Sequence, residues 1–414
     1  MSIDMATGMA AGPTRPGILD GIRVLDFTAM MSGPYCTRLM ADLGAEVIKV
    51  EPPEGDHIRL RPPLRAGRSA YFAQLNAGKS SIALDLKRPE ARKLIYELVP
   101  HCDVLVENYR PGVMQRLALD YETLARLNPK LVYCSISGFG QEGSWSGRSA
   151  YAPVLHATSG YDMANLDYQE GDIARPLKNG IFIADVLGGS TAFGAIQAAL
   201  FRTLKTGQGE YVDVSLLDAM VSMLVYECQE AQFPAERRRP LYRPTQASDG
   251  FLLVAPVSQN NFEALARGVG YPEWISDARF ATSSAREHHW SELMNLLDEW
   301  AESRTAEECE AILTKAGVPC SQYRTIRETM TLPPIQERGV LEEINDGGGS
   351  LHIPNPAFRF KQSAAHVRNK VPALGEDGPR LLQTLLGLSA EEIAELRKGE
   401  VLRGAEQPIV AAAE

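Results

Sequence analysis

Ile22-Arg23-Val24-Leu25-Asp26-Phe27 and Val47-Ile48-Lys49-Val50, with a helical stretch from about Pro34 to Leu43 between them, decide the fold of this chain. Both apolar runs are short and β-rich. The same alternation continues through Ser81-Ile82-Ala83-Leu84, Asp103-Val104-Leu105-Val106 and Leu131-Val132-Tyr133-Cys134-Ser135-Ile136. Helical patterns at Pro89 to Val99 and Tyr121 to Leu127 separate the last three. Strands alternating with helices imply an α/β architecture with a mainly parallel, doubly wound sheet. In such sheets ligands bind beyond the C-terminal ends of the strands.

Working outward, Ile183-Ala184-Asp185-Val186-Leu187-Gly188-Gly189-Ser190 sets one acid between an apolar run and two glycines. Ile181, Phe182 and Ile183 read as a buried approach, and Ala192 to Leu204 as a long small-residue helix ending near Lys205, before Gly207 and Gly209. Asp185 then falls at a helix N-terminus, where free N–H groups and the macrodipole favour a carboxylate. Gly188 and Gly189 leave room for a ligand to approach the backbone. The plain alternative is that Asp185 serves as an N-cap.

A strand at Tyr211 to Val214 leads into a helix from about Ser215 to Ala231. Composition then shifts to a basic, proline-rich segment, and residues 232–248 read as a linker. Residues 249–331 read as a smaller α+β domain, with a strand at Phe251 to Ala255 and helices at Asn261 to Val269, Trp290 to Ala301 and Ala306 to Ala316. A second loop-rich linker covers 332–357, and 358–414 form a C-terminal segment with two short helices. The large domain begins near residue 17; the Met-, Ala-, Gly- and Pro-rich residues before it read as a disordered tail.

The 414 residues are 44% hydrophobic and 23% charged, an ordinary globular balance. A formal net charge of −10 argues against a nucleic-acid partner held by phosphate neutralisation. Six scattered cysteines without a CxxC pair suit a reducing cytoplasm. The seven histidines lack metal-ligand spacing, so no metal is expected. No run of about 18 apolar residues suggests a membrane span.

Asn76-Ala77-Gly78-Lys79-Ser80 resembles the end of a P-loop, but Ala73 stands where the first glycine is required. No GxGxxG follows a strand and no GxSxG elbow is present. What remains is a set of cations near predicted strand ends: Arg59, Arg61, Arg65, Lys79, Lys87, Arg88, Arg110 and Arg116. There they would suit a phosphorylated cofactor, most of all around Asn108-Tyr109-Arg110-Pro111-Gly112.

Several motifs in one order resemble the class III CoA-transferase family. They are Ser32-Gly33-Pro34, Leu43 through Glu51, Gly55-Asp56 and Arg59; then Asn76, Lys79, Leu84 through Lys87, and Glu107 through Gly112; then Ser137 through Gly140, Tyr151 through Gly160, Ala184-Asp185, Gly207 through Ala219, and Leu374 through Asp377. The resemblance implies a Rossmann-like large domain, a small middle domain on two linkers, a C-terminal segment (358–414) that returns to the large domain, and an interlocked homodimer. It implies that Asp185 is the catalytic nucleophile and that Tyr151 lies beside the thioester. Leu84, Lys87, Asn108, Tyr109 and Arg116, with neighbouring Arg110, would contact coenzyme A, which comes and goes as substrate; no permanently bound cofactor is implied.

The implied reaction moves CoA from an acyl-CoA donor to a carboxylic acid through an aspartyl mixed anhydride and an aspartyl-CoA thioester. Oxyanion stabilisation would come from backbone N–H groups near Met30, Met31 and Ser32, or from the Gly188-Gly189 pair. By family habit the donor is succinyl-CoA and the acceptor a short dicarboxylic acid, for which Arg175 could hold a distal carboxylate. Formyl-CoA transferases carry Gln at the position of Met31, Arg at that of Pro52, and a glycine-rich loop, none evident here. Ala152 replaces the Asp that commonly follows the family tyrosine. A 2-methylacyl-CoA racemase would pair Asp185 with a histidine, yet Tyr151 stands there, with His156 five residues on packing in the next helix. A non-catalytic acyl-CoA-binding subunit is the third reading.

Overall fold

The computed structural model describes residues 15–169, 175, 176, 178–234 and 241–404. Most of the N-terminal segment read as a tail, the middle of the basic linker (235–240) and the last ten residues lie outside that range. The chain forms two compact units, one of Met1–Cys228 with Glu337–Glu414, the other of Gln229–Gln336.

The larger unit is built on a parallel-rich sheet of β1 (Arg23–Asp26), β2 (Glu46–Glu51), β3 (Ser80–Leu84), β4 (Val104–Glu107), β5 (Val132–Ser137), β6 (Glu210–Ser215) and β7 (Leu402–Arg403). Their order is β7-β3-β2-β1-β4-β5-β6, so the direction of winding reverses between β1 and β4. Leu25 sits opposite Ile48 on one side and Leu105 on the other, both in parallel register. Only β7 runs antiparallel, pairing Leu402 with Leu84. The segment's return is expected from the resemblance, but its pairing as an edge strand is not legible in sequence, because two residues carry no period.

The central strands carry apolar side chains on both faces because both faces are covered. On one face Leu25, Ile48, Ile82, Leu105 and Tyr133 pack with helices Pro89–Leu98, Gly378–Leu386 and Ala390–Lys398. On the other, Val24, Val47, Val106, Val132 and Ile136 pack with α1 (Ser32–Asp42) and with α3 (Ala152–Thr158), α5 (Ile183–Thr206) and α6 (Leu216–Met223). The short α2 (Ala70–Asn76) and α4 (Tyr161–Asp167) complete the part that concerns the site.

Helix α5 begins nine residues before the helical run read from sequence and ends at Gly207, whose φ of 72° supplies the left-handed cap. Gly188, Gly189, Ala192, Ile196, Ala199 and Leu200 form its buried stripe. Contrary to the expectation that no span exists, its 24 residues are long and apolar enough by length and composition to cross a membrane. Here it packs one face against α1 and the sheet. Ile181 and Phe182, read as a buried approach, are exposed at 71% and 39%.

The helix expected over Ser215 to Ala231 is broken at Leu224, whose ψ of 56° leaves α6 and a second short helix, Val225–Glu230. Residues 332–357 are not mainly loop. They hold a hairpin, Leu341–Asn345 against Ser350–Pro354, whose Ile344 and Ile353 pack on Ala77 and Val367. Asp346 in its turn ion-pairs with Arg65 at 3.0 Å.

The smaller unit carries a three-stranded antiparallel sheet with Phe251–Val254 between Thr245–Gln246 and Cys320–Gln322. Phe262, Phe280, Leu297 and Trp300 form its core beneath helices Gln259–Gly268, Trp290–Ala301 and Ala306–Lys315. Residues 241–246, assigned to the linker, are tied into it by Arg243–Asp298 (2.7 Å) and by Trp290 Nε1 donating to Leu241 O (2.8 Å).

Candidate active site

Two helix N-termini meet on one side of the sheet, those of α1 and α5. Pro34 at the third position of α1 and the absence of a side-chain cap leave the Ser32 and Gly33 N–H groups at an open helix start. The α5 backbone reaches it closely: a Cβ built on Gly189 would stand 2.5 Å from Ser32 O. Gly188 lies as close to Leu216 of α6, where a Cβ would be 2.0 Å from Cδ2. These glycines serve helix packing, not ligand access, which corrects the sequence reading. As helix-interior residues they also spend their N–H groups on the helix ladder. The oxyanion role given to that pair is therefore dropped.

Asp185 occupies the third position of α5. The N-cap is Phe182 and no side chain caps the helix there, so the plain capping role does not apply. The carboxyl is half-buried, and burial pushes its pKa up to about 6. Tyr71 of α2 lies within its field: burial first, then the Asp185 charge, raises the Tyr71 phenol. Tyr71 also packs with Met30, Met31 and Tyr35 around Ile58 and Phe72. The sequence reading missed it, because α2 reaches this place only through the fold.

The loop before α1 is held in an unusual conformation. Met30 has a φ of 67°, a left-handed geometry that a non-glycine residue adopts only under outside constraint. Two side chains impose it. The Asn108 amide clamps Ala29, donating to its O at 2.8 Å and accepting its N–H at 2.9 Å. Asp56 Oδ1 accepts the Met30 N–H at 3.2 Å, while Oδ2 pairs with buried Lys49 at 3.0 Å. Asn108 thus shapes the loop, a role its assignment to ligand contact did not include.

The remaining sequence candidates divide clearly. Lys87, Arg110 and Arg116 are exposed beyond the C-terminal ends of the strands. Tyr109 is half-buried beside them, its phenol raised by burial. Leu84 is fully buried in the core, which removes its side chain from any ligand. Arg59 is locked onto Glu51 at 2.7 Å, and Lys79 is buried against Asp26, Thr37 and Asn76. Both are internal, not phosphate contacts. Arg65 and Arg88 are engaged by Asp346 and by Asp85 with Glu400. Tyr151 is 66% exposed at the N-cap of α3, whereas Ala152 is buried beneath it. Arg175 is exposed. Among the described residues no group of three or more His, Cys, Asp or Glu is placed to hold a metal ion.

The parallel-rich α/β sheet thus carries a half-buried carboxylate at the start of α5 and exposed cations beyond its strand ends. The chain belongs to CoA-transferase family III, whose sequence model matches residues 19–378, and it is a CoA-transferase. It is 32% identical over 396 residues to the succinyl-CoA:glutarate CoA-transferase of Homo sapiens, covering 93% of this chain and 90% of that one. It is 35% identical over 380 residues to the acetyl-CoA:oxalate CoA-transferase of Acetobacter aceti, covering 89% and 96%. Among solved structures, a CAIB/BAIF family protein from Brucella suis superposes with a TM-score of 0.78 at 31% identity, covering 90% of this chain and 100% of that one.

Proposed function

We propose that Asp185 is the nucleophile of a succinyl-CoA-dependent transferase acting on a short dicarboxylic acid. The observation that carries this reading is the half-buried Asp185 carboxylate at the start of α5, raised by burial alone. Its oxygen attacks the acyl-CoA carbonyl and expels CoA thiolate, giving a mixed anhydride. The thiolate attacks the aspartyl carbonyl, releasing the donor acid with one Asp185 oxygen and leaving an aspartyl-CoA thioester. The acceptor carboxylate attacks that thioester and expels the thiolate again. Attack of the thiolate on the acceptor acyl carbon then frees Asp185, which keeps one acceptor oxygen.

The N–H groups of Ser32 and Gly33, at the open start of α1, suit the oxyanions, because a helix N-terminus favours developing negative charge. Lys87, Arg110 and Arg116 suit the phosphates of CoA, and Tyr109 and the Asn108-held loop its pantetheine arm. Tyr151 would border the thioester. Names of the relatives support a succinyl or acetyl donor and a glutarate or oxalate acceptor. A homodimer in a reducing cytoplasm completes the proposal. Phe201 and Leu204 near the end of α5, and Ile181 and Phe182 just before its start, are exposed apolar side chains that a second copy would cover, and Cys36, Cys102, Cys134 and Cys309 are buried free thiols.

The test is intact-mass spectrometry of the protein with a panel of acyl-CoAs, followed by exchange into ¹⁸O-labelled glutarate or oxalate. The expected result is an adduct at Asp185, absent in Asp185→Ala, and ¹⁸O in Asp185 after one turnover. No adduct with any donor, together with deuterium uptake at the α-carbon of a 2-methylacyl-CoA, would replace the transferase by a racemase.

A further inference from the structure

His156 is fully buried in α3, yet it reaches across to the helix that carries Asp185. Its Nε2 accepts the N–H of Ala184 at 3.2 Å. Ala184 is the second residue of α5, so this N–H is one of the donors a helix start leaves without an internal partner. Around it, Ile183 N–H goes to Ile181 O at 2.9 Å and Val186 N–H to Phe182 O at 3.3 Å. Ala184 is itself fully buried, so water has no access to take the place of the imidazole.

An acceptor Nε2 has no proton, so the neutral ring carries its proton on Nδ1. That Nδ1 is buried without a hydrogen-bond partner among the described residues. The ring rests at 5.5 Å from that of Tyr161. Protonation of Nε2 would turn the acceptor into a second donor facing the Ala184 N–H.

Resting on the reading of Asp185 as nucleophile, we propose that His156 is a positioning residue, which as a neutral Nδ1–H imidazole pins the first turn of α5 and so aims the Asp185 carboxylate. It acts from the buried side of the turn, through the backbone of the residue before Asp185, and touches no substrate. Charged groups on the elements packed against α3 are Asp162 and Asp167 of α4, Asp185 of α5 and Asp218 of α6, with Arg202 and Lys205 at the far end of α5. Burial favours the neutral ring and Asp162 opposes it; burial prevails. The pin is therefore in place at neutral pH and released in acid.

The experiment compares wild type, His156→Gln and His156→Leu, with the imidazole tautomer read by long-range ¹H–¹⁵N NMR on the full chain. The expected tautomer is Nδ1–H. His156→Leu, which strips the acceptor, should lower kcat and the rate of Asp185 adduct formation about tenfold with KM unchanged, the cost of leaving one buried N–H unmatched. His156→Gln keeps an acceptor oxygen and should restore most of that rate. In acid the wild-type profile should fall with a slope approaching two protons, and that of His156→Gln with a slope of one. An Nε2–H tautomer, or a folded His156→Leu with wild-type kcat, overturns the proposal. If His156→Leu does not fold, the tautomer and the slope in His156→Gln decide it. If the wild type forms no adduct with any donor while the tautomer is Nδ1–H, the pin stands and the nucleophile reading falls.

Discussion

Asp185 illustrates how one residue's surroundings can set both reactivity and stability. Burial holds its carboxyl near 6, so the anion, which we propose as the nucleophile, is the dominant form at neutral pH yet a costly one. The rate of Asp185 adduct formation should therefore fall on acidification through about pH 6, measured as the acid limb of kcat/KM. A folded-state pKa above the unfolded value means the group's contribution to stability is complete below about 4 and is lost as pH rises through about 6. Asp185→Asn, which cannot ionise, should gain on the order of 2 kcal/mol over wild type at pH 8 and close to nothing at pH 4. Urea unfolding at the two pH values checks this; equal differences at both would contradict it. The candidacy of Asp185 was legible from its neighbours in the chain. The roles of Gly188 and Gly189 were not, since what a glycine makes room for is known only when the opposing helix is in place.

At the scale of elements, the pairing of α1 with α5 is what assembles the proposed site. The two glycine approaches differ in kind: Gly189 faces the backbone oxygen of Ser32, whereas Gly188 faces the end of the Leu216 side chain. Side chains repack more readily than backbone does. Gly189→Ala should thus cost about 3 kcal/mol and most of the exchange activity, and Gly188→Ala about 1 kcal/mol with activity largely kept. Thermal unfolding and kcat of the two variants test the order; Gly188→Ala being the worse would refute it. Elements with a clear period were readable from sequence, Tyr121–Leu127 and Trp290–Ala301 to the residue. The hairpin at Leu341–Pro354 was overlooked, although Asp346-Gly347-Gly348-Gly349 between Leu341/Ile344 and Leu351/Ile353 is a turn signal between half-buried runs. Its surrounding polar residues hid it.

Across the whole molecule, buried charge ties distant segments of the larger unit together. Lys79 Nζ reaches Asp26 Oδ2 at 2.9 Å and Thr37 at 2.7 Å, joining β1, α1 and the start of β3. Asp377 accepts the Ser81 N–H at 3.0 Å and pairs with Lys370 at 2.7 Å, fastening the C-terminal segment to β3. Lys79→Met leaves Asp26 short of its nearest cation in a fully buried place and should cost about 3–5 kcal/mol, read as a fall in Tm. Removing residues 374–414 would take Leu381, Leu382 and Leu402 out of the core around Ile82 and Leu84 and leave one edge of β3 unpaired, so that fragment should fail to give a cooperative unfolding transition. For the proposed homodimer, light scattering should return about twice the 45.3 kDa chain mass, and a monomer would contradict it.

By itself the sequence determined the alternating α/β plan, the lone acid at the head of a helix and the family, because each is written in local period and motif order. Only tertiary structure decided which cations are free. Arg59 and Lys79 look like ligand contacts in the chain and are internal ion-pair partners in the fold, since partners such as Asp26 and Glu51 arrive from other strands. It likewise decided that Asn108 and Asp56 bend the Met30 loop, that Tyr71 stands near Asp185, and that His156 lies behind Ala184. Each of these is a contact between residues far apart in the chain, and burial then fixes what that contact is worth.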